Sequence, residues 1–202
     1  MDTNALFKIG YGLYIITVNE QGKDNGCIVN SVMQVTSDPC QIAICINKSN
    51  YTCEMLQHTK KLNISILTEG SKFEIFKRFG YQCGRSIDKF ADFYETKRTP
   101  NGILYITQNT NAYISAWVKQ EIDLGSHILF IAQIVEAQVL SEESTVTYDY
   151  YQKYIKPKPE PTNTKGWRCK ICGYVYENEI LPNDFICPVC KHGALDFEKI
   201  KA

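Results

Sequence analysis

No apolar run in this 202-residue chain approaches the roughly 18 residues that a membrane-spanning helix requires. Neither charge is in excess, because 22 basic residues stand against 22 acidic ones. The first absence argues against a helical anchor. The second removes the electrostatic footing for nucleic acid or an anionic membrane surface. The opening MDTNALFKIGYG lacks the charged region and long apolar stretch of a secretory leader, so the chain is expected in the cytoplasm. No internal repeat and no P-loop are found. GYGLYI at Gly10 precedes a strand instead of following one and lacks a third glycine, so the dinucleotide fingerprint is missing too.

Cysteine, by contrast, is plentiful and odd in number, at nine. Cys27, Cys40, Cys45, Cys53 and Cys83 are scattered, which suits small apolar residues in or near a core. The other four fall in two Cys-x-x-Cys pairs near the end.

From Tyr11 to about Tyr151 the pattern is that of strands. YGLYIITV alternates and gives way to NEQGKDNG, which reads as a polar turn. QIAICI, LNISIL, GILYIT, AYISAWVK and HILFIAQIVEA follow, rich in β-branched and aromatic residues. Six or more such strands predict a sandwich or barrel. Two helices are expected among them. One opens near Asn50 and runs through YTCEMLQHTKK, with Asn50 as its cap. The other starts at Ser71, where SKFE reads as a capping box with Glu74, and Phe73, Phe76 and Phe79 form its apolar face. Trp117 is expected in the core.

KPKPEPTNTK interrupts this pattern at Lys156, since alternating proline and charge cannot pack and favours an extended chain. The expected organisation is a domain over 1–152, a linker over 153–165 and a small domain over 166–202. A domain this short needs a metal, a disulfide framework or a partner to fold. Cys169, Cys172, Cys187 and Cys190 have the spacing of a four-thiolate tetrahedral site, for zinc or iron. The tail carries five basic and five acidic residues, so a nucleic-acid role gains no support. Trp167, Tyr174, Tyr176, Phe185 and Phe197 are available to build a dry shell around a redox metal.

CxxCGYVY … DFICPVC … LDF resembles the shortened rubredoxins that are fused to other electron-transfer domains. The resemblance implies one iron held by Cys169, Cys172, Cys187 and Cys190. Gly173 and Pro188 fit the two knuckles, while Lys191 stands where rubredoxins usually place glycine. The stretch from Asn25 to Leu67, with FGYQCGRSIDKF and GSHILFIAQIVEA, resembles the flavin reductase family of FMN-binding split β-barrels. That resemblance implies a flavin edge along Asn30, Ser31, Val32, Met33 and Gln34. It implies a phosphate site at Asn47, Lys48, Ser49, Asn50 and Thr52, which the start of a helix would favour. The resemblance also implies that Arg85 and Lys89, in one motif, stand near the flavin or its phosphate. His127 is the candidate catalytic residue, although Ser126 replaces the aspartate common in relatives.

The expected fold is therefore mainly β, an FMN-binding split barrel with a few helices and a small rubredoxin-like domain. The pairing resembles the high-molecular-weight rubredoxins. It implies electrons arriving from NAD(P)H, directly or through an NADH-dependent reductase, and leaving for an acceptor such as a flavodiiron protein that reduces oxygen or nitric oxide. A homodimer is expected. The alternatives are an NAD(P)H:flavin oxidoreductase with its own private acceptor, and a non-catalytic barrel bearing a zinc ribbon.

Overall fold

A tight hairpin opens the fold. In the computed structural model, which describes residues 5, 8–157, 166–170, 173–188 and 193–200, strands β1 (Tyr14–Glu20) and β2 (Lys23–Val29) pair antiparallel, with Glu20 opposite Lys23. Only Gln21 and Gly22 turn the chain, both at positive φ (51° and 86°), the conformation whose twist matches paired strands. The polar stretch expected as a turn is thus mostly strand. Its Asn25 is 1% and its Cys27 2% exposed, because a two-residue loop carries the following residues straight back along the sheet. Gly26 is a true close approach: a Cβ there would lie 3.0 Å from the Ile16 carbonyl oxygen.

The chain continues through β3 (Val32–Ser37), β4 (Cys40–Asn47), helix α1 (Tyr51–Thr59), β5 (Lys61–Leu67) and helix α2 (Phe73–Gly80). A short pair, β6 (Thr96–Arg98) and β7 (Leu104–Ile106), precedes the long strands β8 (Thr110–Asp123) and β9 (His127–Val139). Seven strands form one antiparallel sheet in the order β2-β1-β5-β8-β9-β4-β3. Ile16, Ile44, Ile64 and Phe130, from β1, β4, β5 and β9, are fully buried in a single cluster with Met55 and Leu56 of α1. Apolar residues from widely separated strands meet there, so the core is long-range in sequence.

Helix α2 differs from the expectation in its start. Lys72 is its cap residue and no side chain caps it. Ser71 instead donates its amide to the Thr68 carbonyl, 3.0 Å away, so the turn after β5 takes the residue that local pattern assigned to the helix. The apolar face is present, with Ile75, Phe76 and Phe79 buried. Helix α1 stops at Thr59, because Lys60 turns left-handed at φ 59° and Lys61 enters β5.

Trp117 is not core. It is 44% exposed on β8, flanked by the ammonium groups of Lys61 and Lys119 at 5.5 and 6.0 Å. Cys27 and Cys53 are buried, whereas Cys83 is exposed. After β9, a short helical turn (Tyr148–Tyr150) runs into a π-helix over Tyr151–Ile155, three residues into the segment expected as linker. Residues 158–165 of that linker lie outside the described residues. No helix among the described residues is long and apolar enough to cross a membrane.

The chain divides into two units, Met1–Lys156 and Pro157–Ala202. The second is a three-stranded sheet of β10 (Trp167–Cys169), β11 (Val175–Tyr176) and β12 (Phe197–Lys199), in the order β11-β10-β12.

Candidate functional sites

Three segments far apart in sequence meet at one end of the larger sheet. The Cys45 amide donates to the Ser31 carbonyl (3.1 Å), and Asn47 faces His127 across β4 and β9. The Lys48 amide donates to the Ser126 carbonyl (3.0 Å). Asn30–Ser31, Asn47–Ser49 and Ser126–His127 are therefore neighbours. Between β4 and α1 the chain tightens further, since the Ser49 amide donates to Asn47 Oδ1 (2.8 Å) and the Asn50 amide to the Asn47 carbonyl (3.0 Å). Asn50 occupies the cap position of α1, yet its side chain makes no capping bond. The first-turn amides thus keep no side-chain cap, which suits an anionic group.

Lys48 Nζ lies 2.6 Å from Asp123 Oδ2, both exposed. Hydrogen bonds from Lys48 and then from the Gly125 amide hold the Asp123 carboxyl below its usual range. His127 Nδ1 is 2.8 Å from Ser126 Oγ. Val32 is half-buried, whereas Met33 and Gln34 are exposed, and Gln34 donates to the Thr36 carbonyl (3.3 Å).

Two expected ligands face elsewhere. Thr52 is 1% exposed and its hydroxyl accepts from Asn25 Nδ2 (3.1 Å), because the second helical residue points inward between α1 and β2. Lys89 is 3% exposed and its ammonium donates to the carbonyls of Gly26 (2.8 Å) and Phe79 (3.2 Å). Burial holds Lys89 below the usual lysine range. It ties the loop after α2 to β2, and its charge is not available to a ligand.

Arg85 is placed differently. It forms an ion pair with Glu54, and the hydrogen bond lowers the Glu54 carboxyl. Its guanidinium also lies 4.6 Å from the centre of the Tyr51 ring. Lys23 Nζ lies 4.7 Å from the same ring, so two cations bracket the first residue of α1. Both line a cavity of about 320 Å³ with Gly84, Ser86, Ile87 and Phe90. Gly84 permits this packing, since a Cβ there would sit 2.1 Å from Asn25 Oδ1. Sequence reasoning missed Lys23, Tyr51 and Asp123. The β1–β2 register that brings Lys23 to α1 was hidden by reading the stretch as a turn.

In the second unit Cys169 is 1% and Cys187 0% exposed, clustered with Phe197 and packed by Trp167, Tyr174, Tyr176, Leu181 and Phe185. The Phe185 and Phe197 rings meet edge-on at 5.3 Å, and Phe185 lies 4.5 Å from Tyr176. Gly173 adopts φ 80°, as its place after the first Cys-x-x-Cys pair implied, and its amide donates to the Cys169 carbonyl (2.9 Å). Cys172, Cys190 and Lys191 lie outside the described residues. Two buried thiols packed by partly buried aromatic rings fit a soft, thiolate-bound metal.

The flavin reductase like domain family matches residues 6–157, and the rubrerythrin, rubredoxin-like domain family matches residues 167–198. The chain is 37% identical to the high molecular weight rubredoxin of Moorella thermoacetica, over 99% of this chain and all of that protein. It is 38% identical to the ferric-chelate reductase (NAD(P)H) of Archaeoglobus fulgidus, over 84% of this chain and all of that protein. Among solved structures, flavin reductase PheA2 in its native state is similar with TM-score 0.61 and 25% identity, covering 73% of this chain and 93% of that one. Fold, sites and matches define an electron-transfer flavoprotein that also carries an iron-binding domain. The chain belongs to the flavin reductase-like family, in the two-domain form of the high molecular weight rubredoxins.

Proposed function

We propose that this chain takes electrons from NAD(P)H, directly or through an NADH-dependent reductase, and passes them by way of FMN and a single iron to a redox protein such as a flavodiiron protein. The observation that carries the proposal is the union, in one chain, of a flavin reductase-like domain with buried thiols in an aromatic shell. When bound, FMN accepts two electrons as a hydride and releases them singly, whereas the iron takes one at a time.

The residues have distinct parts in this reading. Asn30, Ser31 and Val32 lie along the flavin's edge, with exposed Met33 and Gln34 beyond them. The Ser49 hydroxyl and the amides of the first turn of α1, with Lys48, hold the phosphate. Lys23, braced on Tyr51, adds positive charge beside that helix start, and Arg85, on the same ring, is held there by its ion pair with Glu54. His127, opposite Asn47, positions the donor's nicotinamide. Cys169, Cys172, Cys187 and Cys190 hold the iron, and the linker joins the two domains. The protein is placed in the cytoplasm. A homodimer is supported by apolar side chains left open on β3, β8 and β9, among them Met33 (63% exposed), Ile122 (40%), Val135 (50%) and Val139 (66%).

The likeness to an NAD(P)H ferric-chelate reductase favours a second reading, a reductase whose own rubredoxin-like domain is its first acceptor. A visible spectrum of aerobically purified protein tests the proposal. Both flavin bands and red ferric-thiolate absorption are expected, and both should bleach with a nicotinamide donor and its reductase. Rapid bleaching by NADH alone selects the second reading. A colourless protein containing zinc would reject both.

A further inference from the structure

The corner where β5 ends gathers oxygen atoms around one point. Three segments are pinned there by main-chain bonds: the Thr68 amide donates to the Asn109 carbonyl (2.9 Å), and the Glu69 amide donates to the Ser144 carbonyl (3.0 Å). Asn111 Nδ2 donates to the Glu143 carbonyl (2.9 Å), which fixes the third segment. A Cβ placed on Gly70 would stand 3.5 Å from each of three oxygens, Thr68 Oγ1, Asn109 Oδ1 and Glu143 Oε2. No two of them are therefore separated by more than twice that distance.

Thr68 is fully buried, and its hydroxyl finds no hydrogen-bond partner among the described residues. An unsatisfied buried hydroxyl costs stability unless something answers it. Its neighbours across the notch are an amide oxygen and a carboxylate oxygen, which only accept. One donor proton cannot serve this set, whereas a cation serves all three.

We infer that Thr68, Asn109 and Glu143 form a binding site for a hard divalent cation of calcium type, separate from the flavin and iron sites. Oxygen-only ligation with a single carboxylate suits calcium, which tolerates irregular geometry and takes water for its remaining positions; magnesium demands a near-octahedral shell. The ion would sit outward of that Cβ position, clear of the Gly70 Cα, with the three side chains turning to bring their oxygens to the 2.3–2.6 Å that calcium uses. A bound ion would tie the end of β5, the turn before β8 and the segment after β9 into one corner. With so few charges, affinity should fall at roughly 0.1–1 mM.

Gly70 allows a clean test. Its φ is not among the positive ones, and an alanine Cβ would meet the three oxygens only at ordinary contact distance. Gly70→Ala should therefore fold while filling the notch. Thermal unfolding of the full chain with its cofactors would be followed by circular dichroism in 10 mM CaCl₂, 10 mM MgCl₂ or choline chloride of equal ionic strength. Calcium should raise the midpoint of the wild type by about 4–8 °C beyond magnesium. Gly70→Ala and Glu143→Gln should lose most of that shift. A wild-type midpoint indifferent to calcium would overturn the site, with water alone then answering Thr68. An equal calcium shift in both variants would overturn it as well, by showing general surface binding.

Discussion

Lys48, in the loop after β4, and Asp123, at the end of β8, lie 75 residues apart in sequence and pair at 2.6 Å beside the start of α1. The carboxylate competes for the charge that the proposed phosphate site needs. Lys48→Ala with Ser49→Ala should weaken FMN by about 10–100-fold and riboflavin little, since a charged hydrogen bond is worth about 1.5–3 kcal/mol. Asp123→Asn should leave FMN binding unchanged or tighter. Titration of apo-protein with both flavins checks this, and equal losses for the two flavins in the double variant would move the phosphate elsewhere.

Lys89 gives a contrasting expectation, because its buried ammonium donates to two backbone carbonyls. Lys89→Met leaves those carbonyls unpaired inside the protein, at a cost of about 1–3 kcal/mol each in the unrelaxed case. Urea unfolding should show the loss, while FMN affinity of the folded variant stays within about twofold of wild type. A large affinity loss with unchanged stability would return Lys89 to the binding site.

Cys187 is fully buried at the centre of the small unit's only cluster among the described residues. In so short a domain, metal binding supplies most of the folding free energy. Cys187→Ser should abolish the ferric-thiolate absorption and expose residues 166–202 to limited proteolysis, with the flavin spectrum retained. A tail as resistant as wild type would show that the aromatic shell holds without metal.

Cys53 sets an alkaline expectation. Burial first, and then neighbouring Cys27, push its thiol from 9.0 to about 12. Its folded value is raised, so its contribution is fully present below pH 9 and is lost as pH rises from 9 to about 12, where the unfolded chain sheds a proton the native one keeps. Lys89, lowered by burial, acts in the opposite sense, so the comparison must be between variants that both retain it. Cys53→Val should flatten the fall in unfolding free energy above pH 9 by up to about 1.4 kcal/mol per pH unit. Parallel curves for the two proteins would show that Cys53 titrates normally.

Local features were legible in the amino acids alone. Strand alternation located most of the long strands, while the proline-rich run and the two Cys-x-x-Cys pairs raised the expectations of a linker and of a thiolate metal site. Each depends on neighbours within a few residues, and quoted motifs were enough to reach both families. Where side chains face once strands pair became visible only in the folded chain. A two-residue turn turned an expected loop into strand, burying Asn25 and delivering Lys23 to Tyr51. Pairing of β4 with β9 set Asn47 against His127. Packing of α1 on β2 turned Thr52 inward, and a buried Lys89 stitched a loop to the sheet instead of meeting a ligand. Trp117 went outward because side-chain direction in a sheet follows register, and register is fixed by contacts between residues far apart in the chain.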